Sequence, residues 1–277
     1  ENANGARVDG LRADLAREGI TADSQLPTEC RDSVRSRPPA HSDDAGSSTA
    51  GRAADGAGSD RATGDGPLQV DGRELTRGGE RFFWLGDTAW HLFSNLDRAE
   101  TQHYLDTRAE QGFTVIQAVA LRNTGPNRYG DPRSAPALLI RVTEGADPDD
   151  AEQYDYWDHV TYVVEEAAAR GLVVGILPVW GWDHAGKLLT SGNARNYGRF
   201  LGERFGTLDN VVWIMGGDAP ADGVEDVWRA LAAGLEEGGG DQLMTYHPRG
   251  DQTSVQWFAD DDWIDFHMIQ GGHCLRY

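Results

Sequence analysis

Short hydrophobic runs recur along the chain from about residue 80 onward, and most of them end on polar or aromatic side chains. These runs alternate with segments of helical periodicity, which indicates parallel strands joined by helices. Strands are predicted at 81–86, 114–121, 172–179, 210–215, 242–246 and 263–269, and helices at 98–111, 154–170, 193–205 and 224–237. Because parallel strands end at one edge of their sheet, the polar groups at these ends are expected to share one face.

The groups at the strand ends are carboxylates, amides, imidazoles and indoles. In chain order they are Asp87, Trp90, His91, Gln117, Trp180, Asp218, His247, Gln270 and His273. Indole rings suit the flat apolar faces of sugars, and the polar groups suit their hydroxyls. The pattern therefore predicts a carbohydrate-processing pocket. From the residues alone, Asp218 is either a catalytic acid or the N-cap of the next helix.

The element order predicts an α/β fold of the (β/α)8 TIM-barrel type, preceded by a hairpin that turns at Asp71-Gly72. A doubly wound sheet is the alternative, but the segment LGDTAW after the first core strand lacks its G-x-G-x-x-G turn. A barrel has eight strands and the pattern supplies six, so the barrel is expected to be C-terminally incomplete.

Aromatic residues divide the chain into two regions. Residues 1–66 contain no Phe, Trp or Tyr and are rich in Ala, Gly, Asp, Ser and Arg. Such a segment has too little apolar surface to offset the entropy lost on ordering. We therefore predict a disordered, low-complexity N-terminal arm at 1–66 and a partial barrel domain at 67–277.

The charge balance limits the classes of molecule that the protein is expected to bind. The formal net charge is −20, and Lys187 is the only lysine. Nucleic-acid binding needs a basic face, so that partner is not expected. Acidic excess with almost no lysine predicts adaptation to high salt; a GC-rich genome would explain arginine over lysine but not the excess of Asp and Glu. The absence of a long apolar stretch and of a secretory signal predicts a cytoplasmic protein without membrane contact.

Metal and cofactor chemistry is not expected. Cys30 and Cys274 occur in unrelated contexts, so neither a disulfide framework nor a metal site is indicated. The eight histidines form neither H-x-H nor H-E-x-x-H. A G-x-S-x-G nucleophile motif is also absent. Two carboxyl groups acting on a glycosidic bond need none of these.

Seven motifs in order give the chain a family resemblance. They are FFWLGDTAW, YLDTRAEQGFTVIQ, ARGLVVGILPVWG, YGRFLGERF, NVVWIMGGD, MTYHPRG and WIDFHMIQGGH, from about residue 67 to 273. The chain resembles the apiosidase-like glycoside hydrolases, whose usual QSGH is QGGH here. The resemblance implies a (β/α)8 barrel that cleaves glycosidic bonds in plant polysaccharide side chains without a cofactor. It also implies that Asp218 is the general acid/base and that its partner is a Glu from the seventh-strand region, which this sequence does not contain.

Several roles remain open at this stage. Asp87 either binds substrate or supports the structure, and Trp90, Trp180 and Trp182 either stack on sugars or pack. His247, Gln270 and His273 either bind hydroxyls or tune the acid. The chain alone is expected to have little activity. The alternatives are a truncated product without a function of its own, a non-catalytic carbohydrate-binding remnant, and a barrel whose seventh and eighth strands another chain supplies. The pattern does not predict an oligomeric state.

Overall fold

The computed structural model describes residues 66–122, 127–130, 133–134, 139–140 and 142–272. The described residues up to Gln270 belong to one unit. Except for Gly66, the predicted arm at 1–66 lies outside the described residues, as do Cys30, His273 and Cys274.

The chain first forms three short antiparallel strands. These are β1 (Leu68–Asp71), β2 (Glu74–Arg77) and β3 (Glu80–Arg81), in the order β1-β2-β3. Asp71 pairs with Glu74 across the first turn, where Gly72 has a φ of 62°. Glycine adopts this left-handed conformation without steric cost. The predicted hairpin is confirmed.

A five-stranded sheet forms the centre of the fold. Its strands are β4 (Gly86–Thr88), β5 (Val115–Leu121), β8 (Val173–Val179), β9 (Val211–Gly216) and β10 (Met244–His247), and every pairing is parallel. The short β6 (Arg133–Ser134) and β7 (Leu139–Ile140) pair separately. The order β10-β9-β8-β5-β4 follows the chain without the reversal of a doubly wound sheet. The predicted parallel α/β architecture is confirmed.

Helices connect these strands. They are α1 (Leu92–Asn95), α2 (Arg98–Glu110), α3 (Tyr156–Ala168), α4 (Gly181–His184), α5 (Ala194–Phe205), α6 (Glu225–Glu237) and α7 (Val255–Phe258). The N-cap of helix α2 is Asp97, whose carboxylate accepts the backbone N–H of Glu100 while the Glu100 side chain accepts that of Asp97. This reciprocal pair satisfies two N–H groups that the first helical turn leaves free.

The sheet has an apolar core on each face. Its helix-facing core includes Ile116, Val174 and Trp213. The opposite face of the sheet carries a second group of buried residues, which includes Val119, Leu177 and Ile214. Partly buried side chains cover this group, among them Trp84, Phe266 and Met268. Strands buried on both faces read as continuous apolar runs, which is why β8 and β9 were predictable from the sequence.

The first predicted core strand, at 81–86, is wrong over most of its length, since the parallel strand is Gly86–Thr88. The backbone N–H of Leu85 donates to the carbonyl oxygen of Phe83 at 3.1 Å. The hydroxyl of Thr114 donates to the same oxygen at 2.6 Å. The carbonyl oxygen of Phe83 is therefore taken by Leu85 and by the Thr114 side chain, and the pairing with β5 begins only at Gly86.

The sixth predicted strand, at 263–269, does not form. The Asp265 carboxylate accepts the backbone N–H of Met244 at 2.7 Å, and Thr245 Oγ1 donates to the carbonyl oxygen of Phe266 at 2.5 Å. Side chains thus take places that a strand ladder would fill with backbone groups. Among the described residues the parallel sheet has five strands rather than six.

Candidate functional site

The carboxyl ends of β8, β9 and β10 lie at one end of the sheet. Ile176 pairs with Trp213, and both strands end three residues later, at Val179 and Gly216. Gly216 in turn pairs with His247, the last residue of β10. The residues that follow these strands therefore meet on one face, where a barrel fold carries its active site.

Asp218 follows β9 through an unusual stretch of backbone. Gly216, Gly217 and Asp218 all have positive φ, at 82°, 114° and 48°. A Cβ on Gly217 would lie 2.8 Å from the Trp180 ring, so only glycine fits there. A non-glycine residue in the left-handed region is uncommon and often marks a functional site.

The helix-capping interpretation of Asp218 is excluded. Helix α6 begins at Glu225 and its N-cap residue is Val224, well downstream of Asp218. The Asp218 side chain is instead 35% exposed and faces polar groups of other segments.

Two side chains contact the Asp218 carboxylate. Gln270 Nε2 donates to Asp218 Oδ1 at 2.6 Å. His247 Nε2 lies 3.8 Å from the same oxygen. Within the described part of the chain, Asp218 Oδ2 has no hydrogen-bond partner, so one carboxylate oxygen is held and the other is available to a ligand.

Trp90, Trp180 and His247 form an aromatic wall beside Asp218. The ring centroids of Trp90 and Trp180 are 5.0 Å apart, and those of Trp90 and His247 are 6.0 Å apart in a stacked arrangement. Trp180 meets His247 edge-on at 6.1 Å. The structure thus brings together four predicted site residues, Asp218, His247, Trp90 and Trp180, with Gln270 as the fifth.

His91 lies next to this wall. It lines a cavity of about 180 Å³ together with residues that include Trp90, Asn95 and Tyr104. Burial, helped by the positive charge of Arg122, lowers the pKa of His91 below its ordinary value. The imidazole is therefore neutral near pH 7. His91 faces the cavity beside Trp90, and within the described ranges its side chain does not contact Asp218.

Asp87 is held by groups outside the site. Its Oδ2 accepts hydrogen bonds from the Tyr104 hydroxyl, at 2.9 Å, and from Arg108 Nε. Oδ1 accepts the backbone N–H of Thr88 at 2.9 Å. Burial opposes ionisation of Asp87, but the Arg108 hydrogen bond and charge outweigh it and hold the pKa of Asp87 below its usual value. These contacts favour structural support, which links β4 to α2.

Gln117 lies deeper in the sheet than the other predicted residues. It pairs with Gly175, and a Cβ on Gly86 would lie 3.3 Å from Gln117 Nε2. The strand β5 continues for four residues beyond it to Leu121, a rise of about 13 Å. The structure therefore does not bring Gln117 to Asp218. His273 lies outside the described residues, so its predicted role remains an expectation.

Trp182 and Arg249 also lie at the site, and no pattern in the sequence pointed to Arg249. Trp182 is 54% exposed, and the guanidinium carbon of Arg249 lies 5.7 Å from its ring centroid. Trp182 was identifiable from its place after the third predicted strand. Arg249 follows His247 by two residues, but a single arginine in a turn gives no pattern to detect.

Metal-binding and membrane-spanning elements are not found in the described residues. Across those ranges, no group of three or more His, Cys, Asp or Glu side chains could hold a metal ion. In the same part of the chain, no helix combines the length and the apolar composition needed to cross a bilayer.

Comparison with known proteins finds a matching family model and several similar solved structures. The family model for an apiosidase-like catalytic domain matches residues 69–276. A solved structure described as a glycoside hydrolase is 36% identical, with a TM-score of 0.68, over 75% of this chain and 46% of its own. A glycoside hydrolase family 5 structure from Bacteroides vulgatus is also 36% identical, with a TM-score of 0.65, over 75% of this chain and 44% of its own.

A more distant structure has the same fold. A glycoside hydrolase family 5 mannosidase from Rhizomucor miehei is 12% identical, with a TM-score of 0.52, over 73% of this chain and 61% of its own. The comparison with curated proteins finds no match. The chain spans less than half the length of the first two structures. Because the family model covers well over half of the sequence, the chain belongs to the apiosidase-like catalytic-domain family.

Proposed function

We propose that this chain carries the general acid/base of a glycoside hydrolase and that Asp218 is that residue. The observation that carries the proposal is the setting of its carboxylate. Gln270 holds Oδ1 at 2.6 Å, the aromatic wall of Trp90, Trp180 and His247 stands beside it, and the side chain is 35% exposed. A fixed, accessible carboxyl group next to apolar rings suits a sugar ring and its leaving oxygen.

The reaction divides between two carboxyl groups. One donates a proton to the glycosidic oxygen as the bond to the anomeric carbon breaks, and the other supports attack on that carbon. We assign the first role to Asp218. We place the second role on a Glu of the seventh-strand region, outside these 277 residues, as the family resemblance implies. The 277-residue chain alone is therefore expected to turn over substrate slowly or not at all.

The family resemblance supports a proposal for the substrate class. We propose a plant-type polysaccharide side chain, such as a pectic oligosaccharide with a terminal pentosyl unit, with no cofactor. Trp90, His91 and His247 would contact this glycan, whereas the buried Trp180 would support their rings and Gln270 would orient Asp218. The proposal keeps the predicted contact of His273 with the glycan. Gln117 and Asp87 would act as supports at a distance from the sugar.

Carbohydrate binding without hydrolysis is the second candidate. The exposed indole of Trp182 beside the site favours it, because a large apolar ring open to solvent offers a surface for a sugar ring. This function would need neither the second carboxylate nor a closed barrel.

A glycosidase assay on pectin-derived oligosaccharides tests the proposal. The 277-residue chain and its longer gene product, if sequencing beyond codon 277 finds one, are each compared with an Asp218→Asn variant. We expect turnover by a form that also contains the strand-end Glu, and its loss by at least about a hundredfold in the variant. Turnover that survives Asp218→Asn would overturn the assignment. Binding without turnover in every form would favour the second candidate.

A further inference from the structure

Two tryptophans flank Gly217, and they differ sharply in exposure. Trp180 is 5% exposed and Trp182 is 54% exposed. The Trp180 ring contacts the Trp90 ring at 5.0 Å, and the guanidinium carbon of Arg122 lies 4.6 Å from its centroid. With Gly217 packed against it as well, Trp180 is part of the wall and presents little free surface. Trp182 has the open ring.

The position of Trp182 is fixed by the backbone beside Asp218. Its N–H donates to the carbonyl oxygen of Gly217 at 3.2 Å. The preceding residue, Gly181, is so close to the end of β9 that a Cβ there would lie 2.8 Å from the carbonyl oxygen of Gly216. Helix α4 is therefore anchored on the end of β9, two residues before Asp218.

Arg249 borders the exposed ring from the loop after β10. It is half-buried, and its guanidinium carbon lies 5.7 Å from the Trp182 centroid. In the part of the chain that the structure describes, Arg249 makes no ion pair, although the chain has a net charge of −20. Its guanidinium N–H donors therefore remain available to oxygen atoms of a ligand.

We propose that Trp182 and Arg249 form a second sugar subsite next to Asp218. A pyranose ring of the glycan would stack its C–H face on the indole, and Arg249 would donate hydrogen bonds to its hydroxyl oxygens. The subsite binds the sugar unit that adjoins the unit at Asp218. The inference rests on the proposed function, because it takes Asp218 as the centre of the site.

The test measures binding rather than turnover. The Asp218→Asn form of the 277-residue chain is titrated with tetrasaccharides of galactan, mannan, xylan and cellulose at millimolar concentrations. The indole N–H signals are followed by NMR, and the Trp182 signal is assigned by its loss in Trp182→Phe. We expect a saturable shift of the Trp182 signal with at least one tetrasaccharide. No such shift with any of the four would overturn the subsite.

Substitutions measure the contributions of Trp182 and Arg249 to binding separately. Trp182→Ala is expected to weaken binding by about tenfold, which is about 1.4 kcal/mol. Arg249→Gln is expected to weaken it by about fivefold, as for one hydrogen bond. Phe83→Ala is the control, because Phe83 is 75% exposed and precedes β4 at the other end of the sheet. Unchanged affinity in Trp182→Ala would contradict the inference.

The outcome is separable from that of the hydrolase proposal. A shift at Trp182, together with no hydrolysis by a form of the protein that also contains the strand-end Glu, supports the subsite and contradicts the role of Asp218. Hydrolysis that Asp218→Asn abolishes, with no tetrasaccharide shifting the Trp182 signal, supports the role of Asp218 and overturns the subsite.

Discussion

The side-chain amide of Gln270 donates a 2.6 Å hydrogen bond to Oδ1 of Asp218 across 52 residues of sequence. Gln270 itself is fixed by its backbone, since its N–H donates to Gln252 at 3.2 Å and its carbonyl oxygen accepts from Asp251 at 3.2 Å. The segment after α7 thus reaches back to the end of β9. This contact orients the carboxylate and leaves Oδ2 open.

Replacing Gln270 by Leu should impair the chemical step more than substrate binding. Loss of the donor frees the Asp218 carboxylate to rotate, so we expect kcat to fall by about tenfold to a hundredfold while KM changes little. Steady-state kinetics in the form of the protein that hydrolyses the glycan measures this. If Gln270 instead bound a sugar hydroxyl, KM would rise and kcat would be preserved.

A surface glutamine supplies the matched control. Gln256 accepts a backbone N–H from Thr253 at 3.3 Å, in an exposed setting. Gln256→Leu removes a similar amide from the same region and should leave both kinetic constants unchanged. Equal effects of the two substitutions would mean that Gln270 acts through the stability of the segment rather than through Asp218.

The sequence predicted the central strands and one helix start because their signals are local. The run from Val173 to Val179 is apolar throughout and is buried on both faces. The helix predicted at 98–111 begins directly after Asp97, which forms a reciprocal cap with Glu100. Neither element depends on a distant partner, so a short window of sequence was sufficient.

The predictions that were wrong or left open depend on contacts between residues that lie far apart in sequence. The predicted strand at 263–269 does not form because the Asp265 carboxylate takes the N–H of Met244, a contact between positions 21 residues apart. Asp87 and Asp218 each come directly after an apolar run and look alike in sequence. Only the fold shows that Asp87 is bonded to Tyr104 and Arg108 on a helix, whereas Asp218 faces the open site.

The packing of α5 against α6 depends on Gly198. A Cβ at this position would collide with the carbonyl oxygen of Leu231 and would lie 2.9 Å from the backbone N of Leu235. Backbone atoms cannot yield as a flexible side chain can, so Gly198→Ala should reduce the free energy of unfolding by at least about 2 kcal/mol. Urea denaturation of the variant and the parent chain measures the difference.

Gly192 is the appropriate comparison for that substitution. The nearest heavy atom to a Cβ there is Thr190 Oγ1, at 3.7 Å, and its φ is not positive. Gly192→Ala should therefore leave stability unchanged or raise it by less than about 1 kcal/mol, since alanine restricts the unfolded chain. Equal losses in both variants would contradict the packing argument.

The N-terminus of α3 is stabilised by Asp155. Its carboxylate accepts the backbone N–H groups of Trp157, at 2.7 Å, and of Asp158, at 3.1 Å. It also accepts the N–H of Thr143 at 2.6 Å. Asp155→Ala leaves these donors without their acceptor, so we expect a loss of about 1–2 kcal/mol. Thermal unfolding followed by circular dichroism gives the value.

Asp149 serves as the control in the same connection. It is exposed, and its backbone N–H donates to Asp147 Oδ1 at 3.0 Å. Asp149→Ala removes the same charge a few residues away and should not change the unfolding transition. A matching loss in both variants would mean that net charge, rather than capping, is responsible.

His159 should make the stability of the chain depend on pH. Its ring stacks on Tyr129 at 3.9 Å between centroids, and the Tyr154 hydroxyl lies 3.2 Å from Nδ1. Burial, followed by the charge of Arg98, lowers the pKa of His159 to about 4. In the unfolded chain a histidine has a pKa of about 6.5.

Between those two pKa values the unfolded chain binds more protons than the folded chain, so the free energy of unfolding falls as the pH falls. From pH 7 to pH 5 the contribution of His159 to this fall is about 2 kcal/mol. His159→Phe keeps a ring against Tyr129 but cannot bind a proton, so its stability should decline less over the same interval. Urea unfolding at both pH values measures the two slopes, and His103→Gln, at an exposed position on α2, should retain the parent slope. A His159→Phe slope equal to that of the parent chain would show that other groups cause the acid sensitivity.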